Sequence, residues 1–167
     1  MITNQYIEDI VREFFYQGTE GEYWDFKEEP YFYEGQSEKD NNKKKGDLLH
    51  DIICMANNLS NRDAYIIMSI QNKPVKITGI KQFSNKWTQE SYQDFLQNLS
   101  WAGDCVPTVE LRSISDGNLE VLVIRKSNKV PFYLTKRYNK VKENQIYVRR
   151  GAKNTAIDRQ AEISDIE

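Results

Sequence analysis

Residues 46–70 read GDLLHDIICMANNLSNRDAYIIMSI, and the apolar pattern changes period within them. Leu48, Leu49, Ile52, Ile53, Met55, Ala56 and Leu59 recur at helical spacing and make a stripe broad enough for a well-buried helix over 46–59. Asn57, Asn58 and Ser60 to Arg62 end it. Tyr65 to Ile70 is almost uniformly apolar, as in a central strand covered on both faces.

Upstream, Ile7, Ile10, Val11, Phe14 and Phe15 follow helical spacing, with Thr3 placed to cap the start and Gly18 to end a helix over 4–17. Residues 20–27 read EGEYWDFK. Alternation over 22–28 predicts a strand with Trp24 and Phe26 on one face and Tyr23, Asp25 and Lys27 on the other. Residues 29–44 are polar and irregular and read as a long loop, with Tyr31, Phe32 and Tyr33 pinning it to the core or stacking on bases.

Downstream, Val75 to Ile80 reads as a short strand. A third helix over 88–99 has Tyr92, Phe95, Leu96 and Leu99 inside, a Thr88 cap and a Trp87–Tyr92 staple. Asp116-Gly117 marks a hairpin between strands over 109–115 and 119–126. Phe132–Lys136 and Gln145–Arg149 read as further strands, and 152–167 as a polar tail with one helical turn. The sum is one α+β domain over 1–167: a mixed β-sheet flanked by about three helices, with its core at 18–158.

The 167 residues suffice for one real core, and 29% charged residues point to a soluble chain. No apolar run approaches the roughly 20 residues of a membrane span, and the first 17 residues lack the pattern of a secretion signal. Cys54 and Cys105 suggest no disulfide framework, so the expected compartment is the cytoplasm. The net charge of −2 hides an uneven distribution. Residues 1–38 hold ten acids against two bases; residues 119–153 hold ten bases against two acids. A basic segment of that density suits a phosphate backbone, and equally the solvated edges of strands.

Asp25 and Lys27, two apart on a strand, share a face. A carboxylate there suits a divalent metal, and the lysine can orient a water or neutralise a phosphoryl oxygen. Glu20 lies just ahead and can fold back beside Asp25; converging carboxylates favour Mg²⁺ or Mn²⁺. The same spacing also fits an ordinary strand whose polar face meets water. His50 is the only histidine, so no histidine pair is present for zinc, and there is no phosphate-cradling glycine loop.

EGEYWDFK resembles the E-S-x-x-x-E-F-K opening of the Schlafen family's divergent Alba-type domain. GDLLHDIICMANN is similar to that family's helix ending in A-x-A-N, and YIIMSI to its buried strand of tyrosine, three apolar residues and Gly-Val. VKITGI, VLVIRKSNKVPFY (121–133) and IYVRRGAKNTAID (146–158) follow in the family's order. The resemblance implies an RNA-directed domain, a metal-dependent endoribonuclease on structured RNA such as transfer RNA, using three acids and Mg²⁺ or Mn²⁺. It carries the first two acids, as metal ligands, to Glu20 and Asp25, and the aromatic-lysine pair to Phe26-Lys27. At the third acid's place this chain has Asn72, which offers a neutral oxygen and no charge; Asp51 and Asp63 are the other acids near enough in sequence to substitute. Lys27 and Arg149 are expected near the phosphate, with Lys43, Lys44, Lys45, Lys136, Arg137 and Arg150 as further RNA contacts. The alternative is a non-catalytic nucleic-acid-binding or protein-interaction subunit of a bacterial regulatory or antiviral defence system, with a protein partner or self-assembly supplying the rest.

Overall fold

The computed structural model describes residues 2–72 and 74–161. Thr3 caps the first helix, α1 (Asn4–Gln17), by accepting from the Tyr6 N–H, and Gly18 ends it in the left-handed conformation at φ +71°. Its buried stripe is Ile7, Val11 and Phe14.

Four strands form one mixed sheet: β1 (Trp24–Lys27), β2 (Ala64–Met68), β5 (Val109–Ile114) and β6 (Leu119–Ile124), in the order β1-β2-β6-β5. β1 runs parallel to β2, Asp25 opposite Ile66 and Lys27 opposite Met68; the other pairings are antiparallel. Joining parallel neighbours needs a crossover, and α2 (Glu38–Ala56) supplies it. One sheet face, with Phe26, Tyr65, Ile67, Val121 and Val123, packs on α1. The other, with Ile66, Met68, Leu122 and Ile124, packs on Leu48, Leu49, Ile52 and Ile53 of α2 and on Tyr92 and Leu96 of α3 (Gln89–Gln97). Every residue of β2 is buried, as its unbroken apolar run requires. The Thr88 cap forms with a reciprocal Ser91 bond, and the Trp87 and Tyr92 rings meet edge-on at 5.4 Å.

Several segments depart from expectation. The second helix starts at Glu38 rather than 46, capped by Ser37, so the expected 29–44 loop ends at the cap. Residues 38–45 have no buried member and show no apolar stripe, and the helix there rests on its cap, on acids in its first turn and on pairs such as Lys43–Asp47 at 3.0 Å. Tyr31 and Phe32 are buried and pin the preceding loop to the core. Tyr23 lies outside β1 and sets its ring edge-on against Phe14 of α1 at 5.7 Å, not with Asp25.

The expected strand over 75–80 reduces to β4 (Lys76–Ile77), paired with β3 (Ile70–Gln71). Residues 132–136 form no ladder. Asn57 holds them instead: its amide donates to the carbonyls of Phe132 and Tyr147 at 2.9 and 2.8 Å, and its oxygen accepts from the Phe132 N–H at 2.8 Å. The buried amide thus satisfies both backbone groups of Phe132, while Leu134 makes a single antiparallel bridge to Trp101. Of the expected strand over 145–149 only Arg149 pairs, in β7 (Arg149–Arg150) against β8 (Lys153–Asn154). The helical turn expected over 152–167 is absent from 152–161, and 162–167 lie outside the described residues.

Candidate functional site

Asp25 and Lys27 point to the α2 side of the edge strand β1, where α2 presents Asp51 instead of an apolar residue. Asp25 and Asp51 are 7% and 8% exposed, and burying two carboxylates requires partners. The Lys27 ammonium lies between them, 3.4 Å from Asp25 and 3.2 Å from Asp51. Tyr31 donates to the same Asp51 oxygen at 2.5 Å; burial, and after it the Asp51 charge, raises the phenol's pKa and keeps it a donor.

Arg149 closes the cluster from behind. Asn58 at the end of α2 bridges to it in parallel register, and the Leu59 N–H donates to its carbonyl at 3.2 Å. Its guanidinium donates to the carbonyls of Gly21 and Trp24, to Asn154 at 2.9 Å and to Asp25 at 3.5 Å. Asn154 in turn donates to Asp51 at 3.2 Å. Burial lowers the pKa of Arg149, opposed by the charges of Glu20 and Asp51; the guanidinium stays protonated.

Glu20 folds back onto β1 as expected: it accepts from the Phe26 N–H at 3.2 Å, one residue from Asp25, and from the Asn72 amide at 3.2 Å. Glu20, Asp25, Lys27 and Asn72 therefore gather at one end of the fold, with Asn72 as a donor to the first acid. Asp51 joins them through Lys27, brought in by the packing of α2 on β2 and β6 beside β1. Asp63 does not: it accepts from Arg125 and from the Lys126 N–H. Tyr31 and Asn154 had no signal in the sequence, since a loop tyrosine and a tail asparagine carry no spacing rule. His50 and Cys54 face each other at 3.6 Å, and the imidazole meets the Thr155 carbonyl at 2.7 Å.

Arg149, expected to reach a phosphate, is 2% exposed and its donors turn inward, because residues 20–25 cover it. Lys43 and Lys44 sit on α2, paired with Asp47 and Glu29, and Lys45 follows them half-buried. Lys136, Arg137 and Arg150 are exposed. Beside the cluster, Arg150, Lys153, Asn154, Thr155, Asp158 and Arg159 are among the residues lining an open groove of about 810 Å³, three cations against one acid, and Asn154 is shared by groove and cluster. No helix among the described residues is long and apolar enough to cross a membrane.

The residues do not fit a divalent metal as they stand. Among the described residues no three acids, histidines or cysteines are grouped to hold one. Each oxygen of Glu20, Asp25 and Asp51 is already engaged by a protein hydrogen bond or ion pair.

A search of curated proteins finds no match, and neither does a search of solved structures. The family model described as Schlafen, AlbA_2 matches residues 20–158, from the first carboxylate of the cluster to the far wall of the groove. With a match over most of its length, the chain belongs to the nucleic-acid-related Schlafen, AlbA_2 family.

Proposed function

We propose that this chain is an RNA-directed Schlafen-type domain that grips structured RNA, of the transfer-RNA kind, along the groove beside the carboxylate cluster. The observation that carries this is Asn154: one residue lines a groove flanked by Arg150, Lys153 and Arg159 and also bonds Asp51 and Arg149 of the cluster. Cations on a groove rim suit a phosphate backbone, and the adjoining polar cluster suits a ribose or phosphate edge.

A second reading is a divalent-metal endoribonuclease, with Glu20 and Asp25 taking Mg²⁺ or Mn²⁺ and Asn72 completing the site. The meeting of Asp25 and Asp51 at Lys27, with Glu20 bonded to the Phe26 N–H next to Asp25, favours it; the engagement of all their oxygens opposes it.

One experiment separates the two. Fluorescent transfer RNA is incubated with the protein and Mn²⁺, with and without chelator. The expected result is a salt-sensitive gel shift that survives chelation and is lost in Arg150→Glu/Lys153→Glu. Metal-dependent cutting that Asp25→Ala abolishes in a folded protein establishes the nuclease. Neither shift nor cutting overturns both and leaves a protein-interaction subunit.

A further inference from the structure

The three carboxylates of the cluster are neutralised from within. Glu20 accepts from Asn72 and the Phe26 N–H, Asp25 accepts from Arg149, and Asp51 accepts from Asn154 and Tyr31; Lys27 forms ion pairs with Asp25 and Asp51. Lys27 alone contacts two of the acids, on two different elements, and its side chain is 32% exposed against 10% and 11% for Asp25 and Asp51. A single positive charge thus occupies the opening between two buried carboxylates, the place a divalent ion would take.

We propose that Lys27 is the resident cation of this site, holding Asp25 and Asp51 together so that the native chain takes no Mg²⁺ or Mn²⁺ there. Two carboxylates this close repel unless a cation lies between them, and the ammonium supplies it without the ligand stripping a divalent ion demands. A metal entering the native site would have to expel Lys27 and would still meet the fixed Arg149 charge behind Asp25. Removing the ammonium leaves Arg149 as the one cation of the cluster against three acids, and the Asp25–Asp51 pair becomes a ligand pair for a hard divalent ion. This inference does not rest on RNA binding, which is read separately as the chelator-resistant gel shift.

The test is a Mn²⁺ titration of the full chain, with free Mn²⁺ read by electron paramagnetic resonance. The wild type is expected to show no saturable binding. Lys27→Met, checked for fold by circular dichroism, is expected to bind one Mn²⁺ at least about tenfold more tightly, and adding Asp51→Asn is expected to remove that gain. Lys27→Gln replaces Lys27→Met if the latter does not fold. Saturable wild-type binding that Asp25→Asn abolishes overturns the proposal, as does a folded Lys27 variant with no gain in Mn²⁺ affinity. Absence of saturable wild-type binding upholds the first point even if every variant unfolds.

Discussion

The Lys27 ammonium on β1 lies 3.2 Å from the Asp51 carboxylate on α2, so the crossover helix and the edge strand meet through a charge pair where they would otherwise meet through apolar side chains. Asp51→Asn is expected to destabilise the fold by about 1–3 kcal/mol, because Lys27 loses a partner and the Tyr31 donor loses its charged acceptor. A double-mutant cycle with Lys27→Met in urea should return a coupling of at least about 0.5 kcal/mol; additive effects would disprove direct pairing.

Asn57 holds two segments that have no ladder of their own, Phe132 and Tyr147, through three hydrogen bonds. Asn57→Ala leaves buried backbone groups unpaired and should cost at least about 2 kcal/mol in urea unfolding. It should also loosen Arg149, which hydrogen exchange at the Leu59 amide would report.

Ser69 is fully buried at φ +75°, and its hydroxyl has no hydrogen-bond partner. It stands at the strand position where the Schlafen pattern has glycine. Ser69→Gly should relieve the left-handed strain and remove a buried unsatisfied group, for a gain of about 1 kcal/mol. For a chain of this length that is a rise in Tm of about 2–4 °C, measured by circular dichroism.

A methyl group on Gly21 would come within 2.2 Å of the Trp24 indole. That ring cannot yield, since it stacks on Phe14 at 4.4 Å and its N–H donates to the Thr19 carbonyl at 2.8 Å. Gly21→Ala should cost about 1–3 kcal/mol by overpacking and shift the tryptophan emission. It should also disturb the cluster, because the Gly21 carbonyl accepts from Arg149 at 2.9 Å.

The Arg125 guanidinium, and after it Arg112, holds the Glu110 carboxyl below its ordinary value of 4.5. A carboxyl lowered in the folded state contributes stability above its unfolded pKa and loses it as the pH falls through the folded value. Glu110→Gln should therefore lower stability at neutral pH by up to about 1 kcal/mol. The difference in Tm from wild type should narrow as the pH drops below 4.5; a pH-independent difference would contradict the pairing.

Much of this molecule is legible in its sequence, and the reason is periodicity. The stripe Ile7–Val11–Phe14, the run Tyr65–Ile70 and the Asp116-Gly117 turn are each specified by neighbours a few residues apart, so helix, buried strand and hairpin follow from local rules. The same rules fail where the surroundings supply no local pattern. Residues 38–45 are helical with no buried face, Phe132 is held by a distant asparagine and Leu134 by a bridge to Trp101. Glu20, Asp25, Lys27 and the place of Asn72 could be read from spacing and resemblance, because they lie on or next to one strand and its parallel neighbour.

Sequence alone determined the class: one α+β domain with a mixed sheet flanked by about three helices, and an acid and a lysine sharing one face of β1 with a second acid just ahead. Only the tertiary structure decided which groups complete that side. Asp51, Asn154 and Arg149 lie 26, 129 and 124 positions from Asp25 in the numbering, and no spacing rule spans such distances. They meet because α2 packs on β2 and β6 beside β1, and residues 146–154 fold back over the end of α2. Once buried together, charges that are unremarkable on a linear chain must find each other, since an unpaired charge in that place would cost more than the fold could spare.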